Sequence, residues 1–152
     1  MAANPQSALA VPDTGRVYRF GTGLDGNAVL KRGWGAPEEG FVWSEGKAAL
    51  VVLPALPGKN MLAISMWGYV PASTADQEVL LFVNGAMKGY FEVHEKTILR
   101  VSHDNTAGTE NLELTFYVPS ATSPRQAEGS SDDRRLGVAL ATIQLSGETP
   151  QA

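Results

Sequence analysis

Two of the three tryptophans lie in one glycine-rich segment, residues 33–46, and Glu38 lies between them. Loops usually avoid tryptophan, because an exposed indole gains nothing from contact with water. An indole in a loop therefore either covers part of the core or offers a flat apolar face to a ligand. Sugar rings are the usual ligand for such a face, since their C–H groups pack against an aromatic plane.

The tryptophan loop, as we call residues 33–46, has two interpretations. In the first, Trp34 and Trp43 stack on a ligand and Glu38 accepts hydrogen bonds from sugar hydroxyls. In the second, both indoles close one end of the domain and each N–H finds a backbone carbonyl. Trp43 directly precedes a strand-like run, which favours an inward side chain, whereas the glycines beside Trp34 favour an open turn.

A charged run near the C-terminus is the second group of candidate residues. Asp132 and Asp133 are followed directly by Arg134 and Arg135. Arginine suits a bidentate grip on a carboxylate or phosphate, so Asp133, Arg134 and Arg135 are candidates for orienting a ligand. The alternative is a structural corner in which Arg135 pairs with Glu38 or Asp133 and fixes the tryptophan loop.

A third aromatic pair, Trp67 and Tyr69, ends a long strand-like run. Alternate residues of a strand share a face, so the two rings lie on the same side. Tyr69 is therefore a candidate for supporting a stacking platform, and the alternative is that both rings belong to the core.

Metal binding and catalysis have little support in the sequence. His94 and His103 have no evident third partner, and Asp104 and Asn105 match no defined calcium loop. There is no cysteine nucleophile, no Gly-x-Ser-x-Gly, no phosphate loop and no His-Glu-x-x-His. We predict no metal, no cofactor and no catalytic residue, although Glu38 keeps open a small glycan-active enzyme, because glycosidases need only two carboxylates.

Composition sets the limits of the function. The 152 residues predict one domain, and their net charge of −4 argues against a nucleic-acid partner. The absence of cysteine excludes disulfides and thiolate metal sites. No apolar run is long enough to cross a membrane, and residues 1–15 do not resemble a signal peptide. We therefore expect a cytoplasmic protein with no membrane insertion.

The apolar pattern has period two and predicts an all-β fold. We expect an antiparallel β-sandwich, jelly-roll-like, with little helix and with a barrel as the weaker alternative. It spans residues 16–146 between tails at 1–15 and 147–152. Asn84-Gly85 predicts a hairpin turn, and the polar stretch 120–133 is long enough to be functional or disordered. The predicted strands are 16–20, 27–31, 47–53, 61–70, 78–83, 88–93, 97–102, 111–118 and 136–145.

Three pieces of the chain resemble a group of bacterial β-sandwich accessory domains found with glycosyltransferases and other cell-surface polysaccharide proteins. The pieces are Gly-Trp-x-x-Pro-Glu-x-x-x-x-Trp-Ser-x-Gly-x-x-Ala, Phe-Val-Asn-Gly and Asp-Asp-Arg-Arg-Leu-Gly-Val-x-Leu. The resemblance covers about residues 18–145 and implies a jelly-roll without catalytic machinery. The positions that match are Trp34, Pro37, Glu38, Trp43, Ser44, Asn84, Asp133, Arg135 and Gly137.

The sequence favours a non-catalytic carbohydrate-binding module that contacts a poly- or oligosaccharide. The predicted ligand-binding residues are Trp34, Glu38, Trp43, Tyr69, Asp133, Arg134 and Arg135. The first alternative is a structural or interaction subunit that docks on a partner protein, or forms a homo-oligomer, through the tryptophan loop. The second alternative is the small glycan-active enzyme that uses Glu38.

Overall fold

The computed structural model describes residues 15–71 and 76–147. The predicted tails, 1–15 and 147–152, lie outside the described residues except for Gly15 and Gly147. The described strands are β1 (Arg16–Arg19), β2 (Val42–Glu45), β3 (Ala48–Pro54), β4 (Gly58–Gly68), β5 (Gln77–Val83), β6 (Ala86–Val93), β7 (Thr97–Asn105), β8 (Asn111–Tyr117) and β9 (Leu136–Gly147). A 3₁₀ turn (Asp25–Val29) and one short helix, α1 (Pro124–Glu128), complete the described elements.

The strands form two antiparallel sheets. The first sheet has the order β1-β9-β4-β7, and β2 also pairs with β9. Since β4 occupies one edge of β9, β1 and β2 follow one another along its other edge. The second sheet has the order β3-β8-β5-β6. The predicted antiparallel β-sandwich is confirmed.

The core lies between the two sheets, where alternating side chains meet. In β8, Leu112, Leu114 and Phe116 are fully buried, while the residues between them face outward. In β5, Val79 and Leu81 show the same alternation. Burying each such side chain stabilises the fold by about 1.5–3 kcal/mol. The period-two pattern therefore determines which face of each strand joins the core.

Two predicted elements differ from the structure. The predicted strand 27–31 is mostly the 3₁₀ turn, because the Asn27 amide bonds both backbone groups of Gly21, at 2.7 Å to its oxygen and 3.1 Å from its nitrogen. Such local side-chain bonds compete with strand pairing. The continuous apolar run 47–53 predicts a strand buried on both faces, whereas Leu50 and Val52 of β3 are only half-buried.

The predicted Asn84-Gly85 hairpin is confirmed between β5 and β6. Asn84 has φ of +50° and Gly85 has φ of +83°, the positive values that a two-residue turn of this kind requires. The Asn84 side-chain oxygen also accepts the N–H of Glu113 at 2.7 Å. Asn84 therefore both makes the turn and ties it to β8.

Candidate functional site

The tryptophan loop is a β-hairpin whose second arm is β2. The N–H of Gly35 donates to the Trp43 carbonyl at 2.9 Å, and the N–H of Glu45 donates to the Gly33 carbonyl at 2.7 Å. Trp34 lies opposite Ser44. Side chains alternate between the two faces of a hairpin, so the two tryptophans point in opposite directions.

Trp34 points into the sandwich. Its indole N–H donates to the Leu50 carbonyl at 2.9 Å. Its ring meets the buried Phe116 edge-on, with centroids 5.8 Å apart. Trp34 thus packs against the core, as in the second interpretation of the tryptophan loop. The structure places it apart from the other predicted site residues.

Ser44, which lies opposite Trp34 on the inward face of the hairpin, and Gly137 both have a structural explanation. The buried Ser44 hydroxyl accepts the N–H of Val138 at 2.9 Å, beside an irregularity in the pairing of β2 with β9. A Cβ on Gly137 would lie 2.7 Å from that hydroxyl oxygen and 2.8 Å from a methyl group of Val118. Ser44 and Gly137 therefore have structural roles in closing the first sheet.

Trp43 points outward, where it joins three other rings. The centroids of Phe41 and Trp43 are 5.6 Å apart, those of Phe41 and Trp67 are 4.9 Å apart, and those of Trp43 and Tyr69 are 6.0 Å apart. We call these four half-buried side chains the aromatic cluster. Trp43 on β2 and Trp67 on β4 are both in register with Ala139 of β9. The rings therefore cover a small, fully buried residue on the outer face of the first sheet.

A tight turn places Glu38 beside the aromatic cluster. The N–H of Glu38 donates to the Phe41 carbonyl at 2.8 Å, and Gly40 takes a φ of +85° inside the turn. The Thr22 N–H donates to the Glu38 carbonyl at 2.9 Å, which docks the turn on the segment after β1. The side chain of Glu38 is therefore held at the rim of the cluster by its own backbone.

Arg134 connects this rim to the segment before β9. Its guanidinium binds Asp132 through two nitrogens, at 3.0 and 2.7 Å, and lies 3.6 Å from a carboxylate oxygen of Glu38. Hydrogen bonding from Arg134 lowers the pKa of Asp132 to about 2, and the Asp132 carboxylate raises the pKa of Arg134. The carboxylate of Asp132 therefore stays ionised at neutral pH.

The ion pair predicted for Arg135 is instead made by Arg134. The Asp132 carboxylate accepts the Arg134 backbone N–H at 3.1 Å, so a turn directs that side chain towards its partner. Arg135 comes one position later, and its carbonyl accepts the N–H of Gly46 at 2.8 Å. Among the residues that the structure describes, the ion pairs of this corner involve neither Arg135 nor Asp133, which are both exposed.

The short helix α1 completes the rim. Ser123 caps its start by accepting the N–H of Gln126 at 3.0 Å, and Gly129 ends it with a φ of +75°. The helix brings the Glu128 carboxylate to the Tyr69 hydroxyl, which donates a hydrogen bond to it. Desolvation and that carboxylate raise the pKa of Tyr69 to about 12.

The candidate site thus consists of the aromatic cluster with a charged rim. The structure brings together Glu38, Trp43, Tyr69 and Arg134 from the predicted set, and it leaves Trp34 in the interior. Sequence reasoning missed Phe41, although it shares a face with Trp43. It also missed Asp132 and Glu128 as partners, since nothing in the sequence signals which side chains they meet.

The described residues hold no group of three or more histidines, aspartates or glutamates placed to bind a metal ion. His94 lies 3.6 Å from Asp76, and His103 lies on β7, where burial lowers its pKa. Among the described helices, none is long and apolar enough to span a membrane.

The fold has counterparts among solved structures. No protein-family model and no curated protein matches the chain. Dimeric latent PorU from Porphyromonas gingivalis matches 87% of this chain at 12% identity and a TM-score of 0.55, over 12% of its own length. A family GH115 4-O-methyl-alpha-glucuronidase with specificity for decorated arabinogalactans matches 80% at 13% identity and a TM-score of 0.51, over 17% of its length.

A third similar structure is the Podospora anserina GH26-CBM35 beta-(1,4)-mannanase. It matches 92% of this chain at 14% identity and a TM-score of 0.50, over 29% of its own length. The chain therefore spans only a small part of each of these three proteins. At such identities the likeness establishes the β-sandwich fold.

Proposed function

We propose that this domain is a non-catalytic carbohydrate-binding module and that it binds its ligand at the aromatic cluster. The observation that carries the proposal is the arrangement of Phe41, Trp43, Trp67 and Tyr69 on an outer sheet face, with Glu38 and Arg134 at the rim. Two of the similar structures are named as a glucuronidase and a mannanase, which supports a carbohydrate ligand.

The aromatic cluster and its rim supply different contacts to a sugar: the cluster supplies apolar contacts and the rim supplies hydrogen bonds. The outer surface of Trp43 offers an apolar plane to the C–H groups of a sugar ring. The Glu38 carboxylate accepts hydrogen bonds from hydroxyls, and the Arg134 guanidinium donates them. Because the Asp132 carboxylate already binds Arg134, that guanidinium is held in one orientation before a ligand arrives.

The pairing with Arg134 argues against Asp132 as a catalytic acid. A glycosidase needs one carboxylic acid whose pKa is raised, so that it can protonate the leaving oxygen. The pKa of Asp132 is lowered to about 2 by Arg134, the opposite direction. Asp132 is therefore suited to holding the arginine and unsuited to acid catalysis.

A small site of this kind binds weakly, because sugar hydroxyls already bond to water. Affinity then rises when several modules or a larger protein engage one polysaccharide. The association with glycosyltransferases and other cell-surface polysaccharide proteins stays a prediction from the sequence resemblance.

Tryptophan fluorescence during titration with a panel of bacterial polysaccharides and their oligosaccharides tests the proposal. We expect a saturable change in the wild-type protein and in Trp34→Phe, and its loss in Trp43→Ala. Trp34→Phe is the matched control because it changes the inward indole of the same hairpin. A flat response across the panel from folded wild-type protein would overturn the proposal.

Docking on a partner protein is the second candidate function. The second sheet exposes apolar side chains on its outer face, and Met87, Tyr90 and Tyr117 are 52%, 48% and 39% exposed. Exposed aromatic residues of this kind often serve at protein interfaces. A stable oligomer by sedimentation that protects these residues, together with no glycan response, would favour docking over carbohydrate binding.

A further inference from the structure

The outer face of the first sheet continues past the aromatic cluster as an open groove. The groove crosses β9, β4 and β7 and has a volume of about 410 Å³. Its lining includes Met61, Ala63, Arg100, Ser102, Gln144 and Ser146.

Strand register explains the shape of the groove. Ala63 on β4 is in register with Gln144 on β9 and with Arg100 on β7. A methyl group thus lies between two long polar side chains. One pair further along, Met61 lies between Ser102 and Ser146. The floor is made by small residues, and the walls are made by Arg100, Gln144 and Met61.

The charge of this face differs from that of the whole protein. The chain carries a net charge of −4, yet the described lining of the groove holds Arg100 and no carboxylate. Arg100 lies on β7, and Arg19 lies across the sheet on β1, in register with Thr142. Asp104, in register with Lys59, lies one outward pair beyond Ser102 at the end of the groove, and Glu92 lines a neighbouring depression with Arg100.

Arg100 has no carboxylate partner within ion-pair distance among the residues that the structure describes, and it is exposed. This contrasts with Arg134 at the aromatic cluster, whose guanidinium is bound by Asp132 and approached by Glu38. Arg134 is therefore largely neutralised, whereas Arg100 keeps its charge for a ligand. A free guanidinium binds carboxylates and other oxyanions in a bidentate manner.

The groove and the aromatic cluster lie along one line. Ala63 and Trp67 are both on β4, and four strand residues span about 13 Å. Between them Ser65 is in register with Thr142 on β9 and with the exposed Ile98 on β7, so small polar side chains connect the two regions along β4 and β9. An extended ligand can run along β4 and β9 and contact both.

We propose that the groove binds an acidic unit of the same glycan chain, with the anionic group on Arg100. This inference rests on the proposed function, and it adds the ligand class: an anionic polysaccharide rather than a neutral one. Gln144, Ser102 and Ser146 supply hydrogen-bonding groups for hydroxyls, and Met61 supplies an apolar flank. The anion is a sugar carboxylate or a sulfate ester, which share this chemistry.

Calorimetric titration with matched ligand pairs tests the inference. The first pair is an oligogalacturonide and its methyl ester, and the second is a sulfated oligosaccharide and its desulfated form. We expect the acidic member of one pair to bind about tenfold more tightly than its neutral partner. Which pair shows the preference distinguishes a carboxylate from a sulfate.

Variants identify the groove as the source of the preference. Arg100→Ala should remove the preference for the acidic ligand, while Arg100→Lys should retain part of that preference. Arg134→Gln is the matched control at the aromatic cluster and should keep the acidic preference. Raising the salt concentration should weaken the acidic ligand selectively, because screening acts on the charged contact.

The outcomes separate the two proposals. Equal affinities within both pairs, or an equal loss for both members in Arg100→Ala, would overturn the groove alone if Trp43→Ala still abolished binding. An acidic preference that needs Arg100 but is indifferent to Trp43→Ala would support the groove and overturn the aromatic cluster. No binding of any ligand by the folded protein would overturn both.

Discussion

Trp34 and Trp43 belong to one hairpin and have opposite environments. The Trp34 indole is bonded to Leu50 and packs on Phe116 between the sheets. The Trp43 indole meets Phe41 and Tyr69 on the outer face of the first sheet. The comparison teaches that residue type selects neither role, because strand alternation alone sends one ring inward and the other outward.

The largest expected effect is on the inward ring. Trp34→Ala should lower the free energy of unfolding by about 3 kcal/mol, the low end for a tryptophan truncation, because the ring is only half-buried. Urea denaturation measures this. Trp34→Phe keeps most of the ring and loses the hydrogen bond to Leu50, so it should cost about 1 kcal/mol. If Trp34→Ala lowered the free energy of unfolding by less than about 1 kcal/mol, the indole would not support the core.

The outward ring should show the reverse balance between stability and binding. Trp43→Ala should lower the free energy of unfolding by about 1–2 kcal/mol, because the edge contacts with Phe41 and Tyr69 are lost. Its main consequence should be a loss of glycan binding of at least about tenfold. If Trp43→Ala instead matched Trp34→Ala in stability and left binding intact, the contrast between the two rings would fail.

The ion pair between Asp132 and Arg134 at the charged rim should make the stability of the protein depend on acid pH. The pKa of Asp132 is lowered to about 2, so its stabilising contribution is present above the ordinary pKa near 4 and is lost as pH falls through about 2. In Arg134→Gln this acid-dependent loss should be smaller. Thermal unfolding between pH 5 and pH 2 measures the difference.

Arg135→Gln is the matched control for that prediction, since the described ion pairs of the corner are those of Arg134. It should keep the acid dependence of the wild-type protein. Identical acid profiles for the wild type and Arg134→Gln would show that the pairing with Asp132 does not contribute to stability.

The smallest expected effect is at alkaline pH. The pKa of Tyr69 is raised to about 12, so folding favours its neutral form, and this contribution is present below pH 10 and is lost as pH rises through about 12. Tyr69→Phe should remove one phenol that titrates near that pH, as followed by near-ultraviolet absorbance. It should also leave Glu128 without this partner and loosen α1.

Tyr90 is the comparison for that measurement. Hydrogen bonding to Glu78 and Glu92 raises its pKa to about 12, although it is exposed on the second sheet. Tyr90→Phe should remove a similar phenol from the titration without any effect at the aromatic cluster. If only one of the two variants changed the titration, the other tyrosine would not be held by its carboxylates.

Much of the fold could be predicted from local pattern. The strict alternation through β8 and the Asn84-Gly85 turn both specify their geometry within a few residues, so both predictions are confirmed. β2 was missed because Phe41, Val42 and Trp43 are all apolar, which hides the alternation that the sheet imposes. The 3₁₀ turn was missed because its cause is a hydrogen bond from the Asn27 side chain to the backbone of Gly21, which the apolar pattern does not show.

Part of the candidate site was also within reach of the sequence. Trp43, Tyr69, Glu38 and Arg134 were selected by residue type and do converge at one place. The choice between Arg134 and Arg135 was not within reach, because it depends on the turn at Asp132. The groove could not be predicted from the sequence, since Ala63, Arg100 and Gln144 meet only through the register of three strands.

The sequence by itself determined the antiparallel β-sandwich, its main hairpin and the presence of aromatic and charged groups, because alternation and turn chemistry act over neighbouring residues. Only the tertiary structure decided which face each tryptophan occupies, which arginine is paired and which is free, and that a cationic groove adjoins the aromatic cluster. Those properties follow from hairpin register and from the pairing of β4 with β7 and β9, contacts between residues far apart in the chain.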